Sequence, residues 1–284
     1  MSTILTIVIA NYNYGRFLGE AIRSVVADAE GVENRRLIIA GQKVELIICD
    51  AGSSDESLEV IKGFEKFIFR WCSEKDGGQS AAFNKGFGWG TGKYLSWLNA
   101  DDVYYRGALK KVVTELERHP DCDWFTGNFF RFTHDGRVIE IGWGPNYYPK
   151  FLQRKCSPVV AFGPSTFFSR EIYTSVGKID ESLHLIMDTD LWSRFIMQGV
   201  IQRRLRFICW GFRMHEESKT AEFDNHGLDE KARMRLQREE ESVLNKTCYS
   251  PSRFMHTLIR VWRVLDLSFL VRCYLNVAFR HYKQ

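Results

Sequence analysis

The segment Tyr94-Leu-Ser-Trp-Leu-Asn-Ala-Asp-Asp102 decides the fold, because an apolar run ends abruptly in polar and acidic side chains. Short apolar runs of this kind are typical of buried strands. Similar runs lie at 4–10, 44–49 and 123–129, and stretches with helical periodicity separate them. Alternation of this kind indicates a mostly parallel sheet flanked by helices. The sequence therefore predicts an α/β fold.

Polar loops follow three of the predicted strands. In an open parallel sheet, the carboxyl ends of the strands meet at one edge, where ligands bind. The candidate ligand side chains in these loops are Asn11, Tyr12, Asn13, Asp50, Asp101 and Asp102. We expect them to lie along the same edge and to form a single site.

The pair Asp101 and Asp102 delivers two carboxylates to a strand end, where they could hold Mg²⁺ or Mn²⁺ against a diphosphate. The alternative is that they cap a helix that begins near Arg106. Asp50 can accept from a ribose hydroxyl or a base N–H. The neighbouring segment 53–55 is suited to turn and cap formation.

A glycine turn at Asp76-Gly-Gly-Gln-Ser80 leads into a short helix that carries Lys85. The helix amino end and the lysine could contact phosphate. The spacing matches neither the dinucleotide-binding fingerprint nor the P-loop.

Two acids, Asp188 and Asp190, stand in the first turn of a predicted helix at 188–199. The helix dipole favours acids there, which is the structural alternative to a role as general base. Residues two apart do not share a helix face, so only one of them can point into a cleft. His215 is a candidate metal or phosphate contact, although an isolated histidine is often a packed side chain.

Composition excludes several classes of protein. The 284 residues carry a formal net charge of only +4, which argues against a nucleic-acid binder. Seven cysteines without a C-x-x-C pair argue against a zinc or redox site and favour a reducing compartment. Without a basic-then-apolar leader or a run of eighteen apolar residues, we expect a cytoplasmic protein with no spanning helix.

Taken in their order along the chain, the polar loops and acid pairs described above resemble those of the inverting glycosyltransferases of family 2, which have the GT-A fold. The resemblance extends over 4–220 and is most specific in 73–86 and 98–102. It implies a GT-A-like sheet with a Rossmann-like nucleotide-binding half and an acceptor half. It also implies that a sugar moves from a nucleotide-activated donor to an acceptor hydroxyl, with a divalent metal (Mg²⁺ or Mn²⁺).

The resemblance also implies roles for individual residues. Asn11, Tyr12, Asn13 and Asp50 would hold the nucleoside, and Asp76, Gln79, Lys85 and Asp102 would line the donor site. Asn99 replaces the first acid of the family's Asp-x-Asp signature, so the implied metal contacts are Asp101, Asp102 and His215. Met187 stands where the family has Glu before its base, which leaves Asp188 as the catalytic base.

The predicted organisation is a glycosyltransferase domain over 1–225, divided at 102/103, and a helical extension over 226–284. The expected partners are a nucleotide sugar and a glycan or lipid-linked acceptor. Because 253–284 contains six Lys or Arg and one Asp, the tail at 251–284 could rest on an anionic membrane, placing the protein at the inner membrane face. Packing against the core or against a second subunit is the alternative.

Two other functions remain open from the sequence. A nucleotidyltransferase would use similar strand-end acids and would release pyrophosphate. A non-catalytic sugar-nucleotide or glycan-binding subunit would bind without turnover. Trp143, Tyr147 and Tyr148 could form an acceptor surface, although loop packing is the default for aromatic residues.

Overall fold

The computed structural model describes residues 2–143, 161, 163–218, 230–246 and 268–278. The strands are β1 (Thr3–Asn11), β2 (Gly31–Glu33), β3 (Arg36–Ile39), β4 (Gln42–Asp50), β5 (Arg70–Ser73), β6 (Tyr94–Asn99), β7 (Val103–Tyr104), β8 (Trp124–Thr133), β9 (Val138–Gly142), β10 (Thr166–Ser169) and β11 (Arg203–Met214). The helices are α1 (Gly15–Val26), α2 (Ser57–Gly63), α3 (Gln79–Trp89), α4 (Ala108–Arg118), α5 (Arg170–Ser175), α6 (Met187–Met197), α7 (Glu230–Lys246) and α8 (Ser268–Ala278).

Over these described ranges, the strands form one mixed sheet in the order β2-β3-β4-β1-β6-β10-β8-β11-β7. β5 also pairs with β4, and β9 pairs with β8. β1 lies parallel between β4 and β6, with Asn11 opposite Asp50 and Ala10 opposite Asn99. β10 is antiparallel to both β6 and β8 and joins the two halves. The strand ends of the predicted site therefore meet at one edge.

Helices cover both faces of the sheet. On one face, α1 buries an apolar stripe that includes Leu18, Ile22 and Val25. On the other, α3 approaches β1 so closely that a Cβ on Gly86 would lie 2.5 Å from a methyl group of Val8. Such an approach requires glycine, and it brings the amino end of α3 to the polar edge of the sheet.

Three stacked tryptophans join the two halves of the molecule. Trp97 of β6 and Trp192 of α6 have ring centroids 5.5 Å apart and planes only 4° from parallel. Trp124 of β8 stacks on Trp192 at 5.7 Å. All three are buried. Because large aromatic rings pack rigidly, this stack fixes the orientation of α6 relative to β6.

The predicted strands at 4–10, 44–49 and 94–98 are confirmed, and so is the predicted helix at 188–199. A 3₁₀ turn at Gly163–Ser165 precedes the short β10. Proline in that turn offers no N–H to a strand partner. None of the helices in the described ranges is both long and apolar enough to cross a bilayer.

Candidate active site

A cavity of about 990 Å³ lies at the carboxyl edge of β1, β4 and β6. Its volume is at the upper end of the range of about 300–1,000 Å³ that ligand pockets usually show. Six of the residues predicted for the site line this cavity: Asn11, Tyr12, Asp76, Gln79, Asp101 and Asp188. Side chains that are far apart in sequence therefore share one pocket.

Asn11 lies at the end of β1 and is 4% exposed. Its amide Nδ2 donates to Asp50 Oδ1 at 2.7 Å and to Ser57 Oγ at 2.9 Å. Its Oδ1 is buried and accepts no hydrogen bond from the described residues. A buried acceptor without a donor is costly in a protein interior, so this oxygen is suited to a ligand N–H or O–H.

Asp50 is buried and is not among the residues that line the cavity, and its ligand role stays a prediction. The carboxylate accepts hydrogen bonds from Asn11 Nδ2, the Ser53 hydroxyl and N–H, and the Ser73 hydroxyl. Burial by itself raises the pKa of Asp50, but these hydrogen bonds outweigh burial and hold it below its usual value. Asp50 orients Asn11.

Asn13 also forms hydrogen bonds within the protein, and its ligand role likewise stays a prediction. Its backbone N–H donates to Ser53 Oγ at 2.8 Å, and its Oδ1 accepts from the Ser54 N–H at 2.9 Å. These bonds join the loop after β1 to the loop after β4. The residue adopts a positive φ of 55°, which asparagine tolerates better than most residues. Its side chain fixes the loops rather than facing the cavity.

Lys85 turns away from the cavity. Its ammonium donates to Glu74 Oε1 at 3.0 Å, and that hydrogen bond raises the pKa of Lys85. Lys75 is the basic residue of this region that lines the cavity. The role of Lys85 at the donor site stays a prediction.

Asp76 and Gln79 lie at the amino end of α3 and line the cavity. The Asp76 carboxylate accepts from the Gly78 N–H at 2.8 Å, which stabilises the turn before the helix. Gln79 Nε2 donates to Asn99 Oδ1 at 2.8 Å, across to the end of β6. The glycine turn thus couples α3 to the loop that carries Asp101.

Asp101 and His215 are in direct contact, although 114 positions separate them. His215 Nε2 lies 3.1 Å from Asp101 Oδ2. Asp101 lines the cavity, and its side chain is 14% exposed; the His215 side chain is 7% exposed and sits behind it. The imidazole packs against the Phe17 ring at 4.8 Å. His215 Nδ1 is buried and has no partner in the part of the chain that the structure describes.

Asp102 is fully buried and is not among the residues that line the cavity. Its role as a metal and donor-site ligand stays a prediction. Its two oxygens accept from Asn99 Nδ2 at 2.7 Å and from the Arg213 N–H at 3.1 Å. Burial, and then the neighbouring charge of Asp101, raise the pKa of Asp102. Asp102 joins the loop after β6 to the end of β11.

Arg213 supports the same loop from the other side. Its Nε donates to the Asp101 carbonyl oxygen at 2.8 Å, and its guanidinium also pairs with Glu20 of α1. The ring of Phe132 lies 4.5 Å from the guanidinium carbon. The position of the Asp101 backbone is therefore set by residues that come more than a hundred positions later.

The two acids of α6 face different surroundings. Asp190 is 1% exposed and accepts from Arg194 Nε at 2.9 Å and Nη2 at 2.6 Å. Asp188 lines the cavity, and its Oδ1 accepts from the Thr189 N–H at 2.7 Å. Burial raises the pKa of Asp188 more than the bonds from Thr189 lower it. The prediction that only one of the two faces the cleft is confirmed.

Several cavity residues carry no sequence signal of their own. Tyr14 directly follows the polar loop 11–13, and Lys75 directly precedes the glycine turn at 76–80. Motifs longer by one residue would have included both. Burial, and then the charge of Asp101, raise the pKa of Tyr14 to about 12, so it stays protonated. The lining also includes four residues of β8 and β11, of which the three aromatic ones read as ordinary core in the sequence: Phe129, Arg131, Trp210 and Phe212.

Trp143 packs on the cluster around Phe130 and Ile141 rather than on the cavity. Tyr147 and Tyr148 lie outside the described residues. Across the described ranges, no group of three or more His, Cys, Asp or Glu side chains converges as a metal site. The structure brings together two of the three predicted metal contacts, Asp101 and His215.

The sequence profile of the family described as glycosyl transferase family 2 matches residues 6–177. The chain belongs to this family. An uncharacterized glycosyltransferase of Nostoc sp. is 34% identical over 112 residues, which are 38% of this chain and 31% of the relative. The chain spans 31% to 59% of the length of this relative and of four similar Rickettsia proteins.

Two solved structures share the fold of this family 2 member. S. aureus TarS 1-349 in complex with UDP-GlcNAc has a TM-score of 0.58 and 12% identity, over 77% of this chain and 61% of TarS 1-349. The mannosyltransferase PcManGT from Pyrobaculum calidifontis in complex with GDP-Man and Mn²⁺ has a TM-score of 0.56 and 12% identity, over 98% of this chain and 88% of PcManGT. The expected family and GT-A-like fold are confirmed.

Proposed function

We propose that this chain transfers a sugar from a nucleoside diphosphate sugar to an acceptor hydroxyl in glycan biosynthesis, with inversion at the anomeric carbon. The observation that carries the proposal is one cavity whose wall includes Asn11, Asp101 and Asp188 in a member of glycosyl transferase family 2. These residues offer an acceptor for a base or ribose, a carboxylate for a cation and a carboxylate for a proton. A nucleotide-sugar transferase needs all three.

The nucleoside would bind beside Asn11 and Tyr12. Asn11 Oδ1 offers a buried acceptor, and the Tyr12 ring, 58% exposed, offers a flat surface for stacking. Asp50 holds Asn11 by accepting from its amide, so the oxygen stays directed at the ligand. The complexes of TarS with UDP-GlcNAc and of PcManGT with GDP-Man support a nucleotide sugar as the donor class.

Asp101 and His215 fit a divalent cation. Asp101 Oδ2 and His215 Nε2, which lie 3.1 Å apart, are the two groups that would hold it. An imidazole ligand favours Mn²⁺ over Mg²⁺, and donor phosphates and water would complete the shell. When bound, the cation neutralises charge on the departing diphosphate.

Asp188 is the proposed general base. The acceptor O–H proton passes to its carboxylate while the acceptor oxygen bonds to the anomeric carbon. The bond from that carbon to the diphosphate oxygen breaks, and the nucleoside diphosphate leaves. Burial raises the pKa of Asp188, which makes the carboxylate a better proton acceptor than an exposed aspartate. Displacement from the opposite face inverts the anomeric configuration.

The wall of Phe129, Trp210 and Phe212 is suited to an acceptor sugar, because aromatic rings stack on the apolar faces of sugars. We also place the reaction in the cytoplasm, with a glycan or lipid-linked acceptor. Membrane contact or homo-oligomer formation through 251–284 stays a prediction, since only 268–278 of that tail is described. The domain division at 102/103 and 225/226 likewise stays a prediction.

The test is turnover of UDP- and GDP-sugars by the purified chain, with Mn²⁺, Mg²⁺ or EDTA, in the presence of candidate acceptor glycans. We expect metal-stimulated release of a nucleoside diphosphate and an inverted product anomer by NMR. Release of pyrophosphate from a nucleoside triphosphate would indicate nucleotidyl transfer instead. Thermal stabilisation by a nucleotide sugar without any turnover would indicate a binding subunit.

A further inference from the structure

Three successive backbone N–H groups before α6 donate to one carboxylate. The N–H groups of His184, Leu185 and Ile186 lie 3.0, 2.9 and 3.3 Å from the Glu239 oxygens. Glu239 is only 6% exposed. It belongs to α7, which lies beyond the segment matched by the family.

Backbone N–H groups at the start of a helix have no partner within the helix. α6 begins after Ile186, whose side chain accepts no capping hydrogen bond. A carboxylate at a helix amino end also interacts favourably with the helix dipole. Of the three donors, Ile186 is the N-cap residue of α6, and His184 and Leu185 belong to the loop before it. Glu239 therefore holds the loop that leads into the first turn of α6.

α7 is held in place along one face. Val243, four residues after Glu239, is fully buried in the core cluster of α6. Lys246, three residues later, pairs with Asp180 at 3.1 Å. The spacing of 239, 243 and 246 places these residues on the same side of the helix. Glu241 on another side is exposed.

The loop that Glu239 holds belongs to the cavity. His184, Leu185, Met187 and Asp188 all line it. On the opposite side, the Ser80 hydroxyl of α3 donates to the Leu183 carbonyl oxygen at 2.9 Å. The same hydroxyl lies 3.0 Å from Met187 Sδ. The loop is therefore fixed by Ser80 of α3 and by three hydrogen bonds to Glu239 of α7.

We infer that Glu239 is a positioning residue, which holds the loop at 184–186 and thereby sets the place of Asp188 at the acceptor. The inference rests on the proposed function of Asp188. It makes α7 part of the working site, although α7 contributes no residue to the cavity wall within the described ranges. A displacement of about 1 Å at a reacting group can lower a rate by about 100-fold.

The experiment compares Glu239→Gln and Glu239→Ala with the matched control Glu241→Gln in the full chain. Hydrogen exchange measured by mass spectrometry should show the amides at 184–186 exchanging at least about tenfold faster in Glu239→Ala, with a smaller change in Glu239→Gln. The kcat for transfer should fall about 10- to 100-fold in Glu239→Ala, with donor KM within about twofold. Glu241→Gln should match the parent in every measurement.

A double-mutant cycle separates positioning from general stability. If Glu239 acts through Asp188, Glu239→Ala should have little further effect on kcat in an Asp188→Asn background. Additive losses, unchanged exchange at 184–186, or equal changes in kcat and donor KM would each overturn the inference. Failure of the proposed function has another signature: the parent shows no turnover, or Asp188→Asn keeps full turnover, and the inference then falls with it.

Discussion

Two segments of this protein, the loop after β6 and the first turn of α6, each carry a pair of acids. In each pair, only one of the two acids faces the cavity. After β6, Asp101 lines the cavity while Asp102 is buried. In the first turn of α6, Asp188 lines the cavity while Asp190 is buried. One carboxylate of each pair is available to a ligand, and the other is committed to the protein.

The buried acid of each pair has a different kind of partner. Asp102 accepts from the Arg213 N–H and from the Asn99 amide, so it organises backbone around Asp101. Asp190 forms an ion pair with Arg194 within the same helix. A buried carboxylate requires such partners because desolvation of its charge is costly. The comparison teaches that a buried acid can organise the backbone around the working carboxylate, as Asp102 does, or stabilise its own helix, as Asp190 does.

The largest expected effect is on transfer by Asp188→Asn. Removal of a general base should lower kcat by about 1,000-fold, within the range of about 10²–10⁴ that such groups contribute. Steady-state assays with a nucleotide-sugar donor measure it, and circular dichroism checks the fold. Retention of near-normal kcat would remove Asp188 from the mechanism.

The next effect concerns Asp101→Asn, which keeps the side-chain volume but removes the anionic oxygen beside His215. We expect kcat/KM to fall about 100-fold, because the cation no longer neutralises the leaving diphosphate as well. Activation by Mn²⁺ should require a higher metal concentration. Titration of activity against Mn²⁺ measures both effects, and an unchanged activation curve would contradict the assignment.

Asp190→Asn should act on stability rather than chemistry. Arg194 has a side chain that is 19% exposed and keeps its bond to the Val176 carbonyl oxygen, so the loss should be about 2 kcal/mol in the free energy of unfolding. Urea denaturation followed by fluorescence measures it. A loss of activity without a loss of stability would mean that Asp190, rather than Asp188, takes part in the reaction.

The smallest expected effect is a gain in stability for Asp188→Asn. Burial raises the pKa of Asp188 in the folded protein above its unfolded value near 3.9, so ionisation of this group costs stability as the pH rises through the raised pKa. Asparagine stays neutral, so the variant should be slightly more stable than the parent at pH 7. The difference should disappear below about pH 4. A destabilised variant at pH 7 would contradict the burial of this charge.

Much of the fold could be predicted from short-range patterns. Apolar runs located β1, β4 and β6, and the rule for open parallel sheets placed their polar loops at one edge. These predictions succeeded because burial of a strand requires a local apolar pattern. The choice of Asp188 over Asp190 came from the family resemblance, and it agrees with the geometry.

The direction of individual side chains could not be predicted. Lys85 stands in a motif for the donor site, yet its ammonium group donates a hydrogen bond to Glu74. Asp50 follows β4 as expected, yet hydrogen bonds from Ser53 and Ser73 satisfy its carboxylate. The partners in these cases lie in other turns or strands, so no local sequence pattern predicts them.

The sequence by itself determined the strands β1, β4, β6 and β8 and the polar residues at the carboxyl ends of the first three, because apolar runs and strand ends are local properties of the chain. Only the tertiary structure decided that Asp101 meets His215 and that Glu239 of α7 holds the loop before Asp188. Those contacts join residues 114 and 54 positions apart. They depend on packing across the whole sheet, and no spacing in the chain encodes such a distance.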